Sequence, residues 1–109
     1  MSLITLGDFK KSDLRVARVT AVEEIAGADR LWKLTIDVGS ETKTVVAGIK
    51  NTYPEKEALI GKNIVVVNNL EPAVIRGVQS QGMVLAAKDV SHFSLLEVDQ
   101  KLSPGSLVG

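Results

Sequence analysis

The sequence feature that most constrains the fold is a strict alternation between positions 32 and 38. Apolar and polar side chains take turns along this run, with Trp32, Leu34, Ile36 and Val38 at one parity and Lys33, Thr35 and Asp37 at the other. Because successive side chains of a strand point to opposite faces, the pattern predicts a β-strand with one buried face and one solvent face. We therefore expect Trp32 in the core and Lys33 on the solvent face.

Four further segments have the composition of strands. Residues 14–25 mix valine, threonine and arginine without helical spacing, and their slipping alternation predicts a bulge. Residues 43–49 follow a turn at 39–41, so they should form a hairpin with the alternating strand. Residues 63–68 are rich in β-branched side chains. Residues 83–87 are apolar throughout, which predicts a further buried strand.

One short helix is expected in residues 51–61, where Thr52 can cap, Pro54 suits the first turn and Gly61 can end the helix. Five strands with a short helix between the third and fourth is the element order of an OB-fold Greek-key barrel. We therefore predict a mainly β, single domain over residues 1–109. Residues 91–109 form a C-terminal extension that either returns to cover the barrel or packs against another copy.

Composition limits the classes of function. Thirteen basic and thirteen acidic residues give no net charge, so an anionic partner needs a local cluster of cations created by folding. The chain has no cysteine, and its one histidine, His92, lies in no pattern typical of a catalytic set, so we expect it in a surface loop. No metal, phosphate-loop, signal-peptide or membrane-spanning pattern is present. We expect a non-catalytic, cytoplasmic protein without cofactor or metal.

The segment from Arg76 to Met83 is the best candidate for a binding site. It combines the side-chain donors of arginine, serine and two glutamines with two glycines that let a backbone approach a ligand closely. Two interpretations remain open from the residues alone. The segment is either a loop that holds phosphates and sugars, or a hairpin connection whose glycines supply positive φ and whose polar residues are solvated.

Several motifs, in this order and spacing, carry a resemblance to a known family over nearly the whole chain. They are Phe9-Lys10-Lys11-Ser12-Asp13-Leu14-Arg15-Val16, Ala28-Asp29-Arg30-Leu31-Trp32-Lys33-Leu34, Asp37-Val38-Gly39, Ala47-Gly48-Ile49, Tyr53-Pro54, Leu59-Ile60-Gly61-Lys62, Asn69-Leu70-Glu71-Pro72, Arg76-Gly77, Ser80-Gln81-Gly82-Met83 and Ser103-Pro104-Gly105. The chain resembles the tRNA-binding OB domain found at the C-terminus of many methionyl-tRNA synthetases, in the endothelial-monocyte-activating-polypeptide-like domain and as free-standing structure-specific tRNA-binding proteins.

The resemblance implies recognition of the folded shape and backbone of tRNA, by a homodimer built from terminal segments or by a detached subunit of methionyl-tRNA synthetase. The RNA-binding residues it implies are Lys33, Asn69, Arg76, Ser80 and Met83. One departure concerns affinity: the family commonly has Pro-x-Lys-x-Arg-Gly, whereas Val74 takes the place of the lysine here. The alternative function is a protein–protein module, either for polypeptides as in export chaperones or for dimerising and scaffolding a synthetase.

Overall fold

The central strand of the sheet is long and bent, so it pairs with different neighbours along its two halves. In the computed structural model, which describes residues 1–109, the first half of this strand pairs with the fourth strand and the second half with the second strand. The antiparallel sheet runs, in spatial order, β3 (Thr42–Ala47), β2 (Trp32–Asp37), β1 (Leu14–Glu24), β4 (Asn63–Val67) and β7 (Met83–Val84). The register of β1 against β2 shifts between Val19 and Ala21, which confirms the predicted bulge.

The remaining elements are short and lie around this sheet. They are α1 (Leu6–Lys10), α2 (Lys56–Leu59), β5 (Ala73–Ile75), β6 (Val78–Ser80), β8 (Ala86–Lys88), β9 (Phe93–Leu95) and β10 (Leu107–Val108). The pairs β5–β6 and β8–β9 form separate two-stranded sheets, and β10 adds to β1. The nearly closed sheet, with α2 between β3 and β4, confirms the predicted mainly β barrel. Neither helix has the length and apolar character needed to cross a bilayer.

The alternating strand packs as its sequence predicts. Trp32 is only 3% exposed, while Leu34 and Ile36 are fully buried in one apolar cluster. The indole Nε1 of Trp32 donates to the backbone oxygen of Tyr53 at 2.7 Å, so the one polar atom of the ring is paired inside the core. Lys33 lies on the opposite, partly exposed face.

The helix before β4 is shorter than predicted. It begins at Lys56, its N-cap is Glu55 without a side-chain cap hydrogen bond, and the cap predicted at Thr52 is therefore wrong. Gly61, with φ of 93°, follows the C-cap as expected. Helix α1 was not predicted; its N-cap Thr5 accepts a hydrogen bond from the backbone nitrogen of Asp8 at 3.0 Å.

The fifth predicted strand is not buried. Residues 83–87 break at Leu85 into β7 and β8, Met83 is 48% exposed, and Ala86 and Ala87 are exposed as well. The physical reason is the position of β7 at the end of the sheet, where only β4 supplies backbone partners. An apolar run without polar interruptions indicated burial on both faces, but here it lines an open edge.

The C-terminal extension returns to the barrel. Leu95 is buried, and the backbone nitrogen of Val65 donates to the oxygen of Leu96 at 3.1 Å. Further along, the side chain of buried Asn63 donates to the oxygen of Leu102 at 3.0 Å and accepts from Nε of Arg18 at 2.9 Å. The first of the two predicted arrangements of the extension therefore applies to the single chain.

Candidate nucleic-acid interface

The segment 76–83 starts as the tip of the β5–β6 hairpin. Arg76 and Gly77 form its two-residue turn, with φ of 52° and 80°. Positive φ at both central residues matches the twist of the flanking strands, which is the reason tight hairpins use such turns. Arg76 is the one non-glycine residue of the chain with positive φ. The positive φ expected for this turn is present at Arg76 as well as at Gly77, and the tip of the hairpin presents an exposed guanidinium. A hairpin tip of this kind is compatible with both interpretations of the segment.

Ser80 and Gln81 attach the hairpin to the edge of β3. The Ser80 hydroxyl accepts from the backbone nitrogen of Val46 at 2.9 Å and donates to the oxygen of Gly82 at 3.3 Å. The Gln81 side-chain oxygen accepts from the nitrogen of Thr44 at 3.1 Å, and the Gln81 nitrogen donates to the oxygen of Thr44 at 2.8 Å. These bonds satisfy edge groups of β3 that lack a neighbouring strand. Side chains thus close the barrel where no backbone ladder does.

Ser80 is only 4% exposed, and its hydroxyl is already paired on both sides. In this arrangement it positions the hairpin, while Arg76 and Met83 present exposed side chains on either side of it. Gly82 between them has φ of 144°, and a Cβ there would lie 2.9 Å from the backbone oxygen of Val67. Only glycine therefore allows the chain to pass from the hairpin into β7 at this point.

Lys33 lies near the base of the hairpin. Its cross-strand partners on the outer face of the sheet are Glu23 on β1 and Val46 on β3. Because Ser80 binds the backbone of Val46, Lys33 and the hairpin flank the same residue. The fold therefore brings together four of the five predicted contact residues around β3: Lys33, Arg76, Ser80 and Met83.

Asn69 has a different environment. Its side-chain oxygen accepts from the backbone nitrogen of Asp13 at 2.8 Å, and its amide nitrogen donates to the oxygen of Lys11 at 2.7 Å. The side chain therefore anchors the N-terminal segment to the start of the loop that leads to β5. In this arrangement both ends of the amide are occupied within the chain.

A polar cluster beside Asn69 was missed by the sequence analysis. The carboxylate of Asp13 accepts from Nε of Arg15 at 2.7 Å and from the side-chain nitrogen of Asn68 at 3.1 Å. The hydrogen bonds from Asn68 and Arg15 hold the pKa of Asp13 below its usual value. Lys43 donates to the backbone oxygen of Asn68 at 3.0 Å. The cluster joins Asp13 and Arg15 to Lys43 and Asn68, which lie far away in the sequence, so no local motif signals it.

Folding pairs some of the basic residues and leaves others available. Lys11, Arg15, Lys50 and Lys62 form ion pairs with carboxylates, and Arg18 and Lys43 donate to neutral oxygens. The other lysines and arginines form neither ion pairs nor side-chain hydrogen bonds, and they are Lys10, Arg30, Lys33, Lys56, Arg76, Lys88 and Lys101. A chain of zero net charge thus retains unpaired cations, of which Arg76 lies at the tip of the hairpin and Lys33 near its base.

His92 lies in the loop between β8 and β9, with a side chain that is 85% exposed and an Nδ1 atom 3.5 Å from a carboxylate oxygen of Asp89. The predicted surface position of this histidine is confirmed. No group of three or more His, Cys, Asp or Glu side chains lies close enough together to hold a metal ion.

The chain is similar in sequence to a known domain family and to parts of longer proteins. Residues 14–107 match a family model described as "Putative tRNA binding domain". The chain is 49% identical over 107 residues to a methionine–tRNA ligase of Deinococcus radiodurans, covering 97% of the chain and 16% of that protein. It is 48% identical over 105 residues to the ligase of Thermotoga maritima, again covering 16% of the relative. The chain thus spans about a sixth of the length of these relatives.

Solved structures show the same fold over the whole chain. A MetRS-related protein from Pyrococcus horikoshii superposes with a TM-score of 0.94 at 34% identity, covering 100% of both chains. The chaperone CsaA of Bacillus anthracis superposes with a TM-score of 0.87 at 31% identity, covering 99% of this chain and 100% of the chaperone. From the family match and the full-length likeness to the Pyrococcus protein, the chain belongs to the tRNA-binding domain family and is homologous to the C-terminal tRNA-binding domain of methionyl-tRNA synthetase.

Proposed function

We propose that the protein is a non-catalytic module that binds the folded shape and backbone of tRNA through Arg76, Met83 and Lys33, with Ser80 and Asn69 holding the neighbouring segments in place. The observation that carries the proposal is the exposed and unpaired guanidinium of Arg76. Its guanidinium has no partner within the chain, and its hairpin is attached to β3 through Ser80 and Gln81. Arginine in such a position suits phosphate, because its planar fork of donors matches two phosphate oxygens.

The small number of aromatic residues fits recognition of the backbone and shape of a folded RNA better than stacking on the bases of a single strand. Aromatic residues make up 4% of the chain. Trp32 is buried, and the hydroxyl of half-buried Tyr53 accepts a hydrogen bond from the backbone of Leu95 at 3.0 Å. Proteins that bind single strands without sequence preference use a series of exposed aromatic platforms. A domain without such a series is better suited to a folded RNA.

Val74 is the reason to expect modest affinity. It is 74% exposed and faces Gln79 across the β5–β6 hairpin. A lysine at this position would add an exposed cation two residues before Arg76. We expect Val74→Lys to strengthen tRNA binding and to increase its dependence on salt, because each additional phosphate contact adds about one counterion released.

The test is a titration of labelled tRNA, and of a single-stranded RNA of equal length, at two salt concentrations. We expect the folded tRNA to bind more tightly than the single-stranded RNA, and we expect its affinity to fall steeply as the salt concentration rises. Arg76→Ala and Met83→Ala should weaken it, and Lys101→Gln, which removes an unpaired lysine on the C-terminal extension, serves as the control. Equal binding to both RNAs, or none to either, would refute the proposal.

Dimerisation through the terminal segments is part of the proposal. An apolar groove of about 460 Å³ lies between α1 and β10, lined in part by Leu6, Phe9, Leu14, Leu107 and Val108. Leu107 is 77% exposed although it lies in a strand, and exposed apolar patches of this kind mark protein contacts. We expect Leu107→Lys to shift a dimer towards monomer in light scattering, while Val90→Lys, in an exposed loop, should not. A monomeric wild-type chain would refute this arrangement.

The second candidate is a protein–protein module, favoured by the likeness to the chaperone CsaA and by exposed Val74. It includes association with a separate methionyl-tRNA synthetase. Capture from native lysate before and after nuclease treatment separates the two functions. Loss of the bound material after nuclease supports tRNA binding, whereas a retained synthetase or polypeptide client supports the second candidate.

A further inference from the structure

An apolar groove lies where the barrel fails to close. One wall is the end of β3 and the residues after it, and the other is the stretch from β7 into β8. The groove encloses about 390 Å³ and is lined by Val46, Ala47, Gly48, Ile49, Met83, Val84, Leu85, Ala86, Lys88 and Phe93. This volume lies in the usual range of small-ligand pockets, about 300–1,000 Å³. We call it the β3–β7 groove.

The groove exists because β3 and β7 are the two ends of the sheet. Ser80 and Gln81 bridge the gap at Thr44 and Val46, but no hydrogen bond crosses it farther along β3. The backbone nitrogen of Gly48 consequently has no hydrogen-bond partner within the chain. The groove thus offers a free backbone donor beside apolar walls, and a polar group on a ligand could satisfy that donor.

The fold itself does not require glycine at position 48. Its φ is not positive, and a Cβ added there would meet only the side chain of Leu31, at 3.8 Å. This contrasts with Gly82, where a Cβ would approach backbone at 2.9 Å. The missing side chain leaves the mouth of the groove uncovered, and close approach of a ligand to backbone is a common use of glycine.

The lining of the groove contains one charged side chain, and it is a cation. Lys88 is the one charged residue in its lining, and no carboxylate lines it. Beside the wall, Lys33 lies between Val46 on β3 and Glu23 on β1. The backbone oxygen of Arg30 accepts from the nitrogen of Lys50, which follows Ile49. None of these three cations is paired within the chain. Apolar walls with an unpaired cationic rim complement a flat apolar group that carries a phosphate.

We propose that the β3–β7 groove binds a single unstacked nucleobase of the RNA, with the adjoining phosphate on Lys88. The base packs between the end of β3 and Met83, Ala86 and Phe93, and the amide of Gly48 donates to it. The proposal rests on RNA binding as the function, and it adds a second contact region to the Arg76 hairpin. Met83 belongs to both regions, because it follows the hairpin and lines the groove.

The first test uses ¹⁵N-labelled protein and two small probes, adenosine 5′-monophosphate and ribose 5-phosphate. The nucleotide should shift the amide signals of Gly48, Val84 and Ala86, because the ring enters the groove. Ribose 5-phosphate should affect only residues near Lys88. Equal shifts from both probes, or no shift of Gly48 with the nucleotide, would overturn the proposal.

The second test measures tRNA affinity of full-length variants whose thermal melting matches the wild type. Ala86→Phe fills the groove and should weaken binding about tenfold, because the base can no longer pack there. Lys88→Gln should weaken binding and lower the salt slope by about one. Lys101→Gln is the matched control, an exposed and unpaired lysine remote from the groove, and it should change neither quantity.

The outcomes separate this inference from the proposed function. If tRNA binds and Arg76→Ala weakens binding while Ala86→Phe and Lys88→Gln do not, the groove proposal is wrong and the hairpin remains the site. If the wild-type chain does not bind tRNA, the proposed function fails first. If reduced carboxymethylated α-lactalbumin, an unfolded polypeptide, shifts Gly48 and the nucleotide does not, the groove binds polypeptide and the nucleobase proposal is overturned.

Discussion

Removing the hydroxyl of Ser80 tests whether one side chain holds the binding hairpin to the barrel. Ser80→Ala deletes the acceptor for the backbone nitrogen of Val46, at 2.9 Å, and the donor to the oxygen of Gly82. The position is 4% exposed, so the Val46 nitrogen loses its partner where water enters poorly. Leaving such a donor unsatisfied costs about 1–3 kcal/mol, whereas a surface serine costs less than about 0.5 kcal/mol.

The assay is urea unfolding followed by the fluorescence of Trp32, the single tryptophan of the chain, which is buried in the core. A loss of about 1–3 kcal/mol should lower the urea midpoint, and each kcal/mol should lower the melting temperature by about 4–8 °C in a domain of this size. Ser91→Ala, in an exposed loop, is the matched control. We also expect weaker tRNA binding by Ser80→Ala, as a consequence of the loosened hairpin.

Two results would contradict this reasoning. Wild-type stability in Ser80→Ala would show that the bond to Val46 does not hold the hairpin. Unchanged stability together with weaker tRNA binding would show that the hydroxyl contacts RNA directly, as the family resemblance implied. The same variant therefore decides between a positioning role and a contact role for Ser80.

Three further predictions follow from single residues. Arg76→Gly should raise the free energy of unfolding by up to about 1 kcal/mol, because glycine relieves the positive φ, yet it should weaken tRNA binding; lower stability would contradict the strain. Asp13→Asn should flatten the acid limb of the stability curve in a pH series of urea titrations. Because the pKa of Asp13 is lowered in the folded state, its carboxylate stabilises the fold fully above the unfolded-state pKa. This stabilisation is lost as the pH falls through the folded-state pKa. Identical acid limbs in the two proteins would exclude this role. Leu34→Ala, at a fully buried position, should cost about 2–5 kcal/mol by urea unfolding, while a smaller loss would indicate a core able to collapse.

Strands β1 to β4 and the core face were predictable because those features depend on short-range patterns, whereas β5, β6, β9 and β10 were not predicted. The parity of Trp32 with Leu34 predicted its burial, and the slipping alternation within residues 14–25 predicted a bulge, which the structure places between Val19 and Ala21. The expectation failed for residues 83–87, where an apolar run indicated burial. Burial there depended on whether β3 would pair with β7, and that pairing depends on chain closure rather than on the run itself.

The candidate site was also predictable from the sequence only in part. The sequence marked Arg76–Met83 through its glycines and donors, and the structure separated those residues into a tip, an anchor and a groove wall. The polar groups of Ser80 and Asn69 are occupied by Val46 and Asp13. Because these partners lie far away in the chain, the sequence did not indicate that the two side chains are already paired. The Asp13 cluster and the β3–β7 groove had no local signal at all, since each joins segments that meet only on folding.

For this protein, the sequence by itself determined the four main strands, the buried face of the sheet and the membership of the tRNA-binding family. Tertiary structure alone decided which polar groups are occupied within the chain and which remain free for a ligand. The physical reason is range: strand periodicity depends on neighbouring residues, whereas hydrogen-bond pairing and charge pairing depend on every group that folding brings within a few ångströms. Arg76 remains unpaired at the tip of its hairpin, and Ser80, four residues later, is paired and buried.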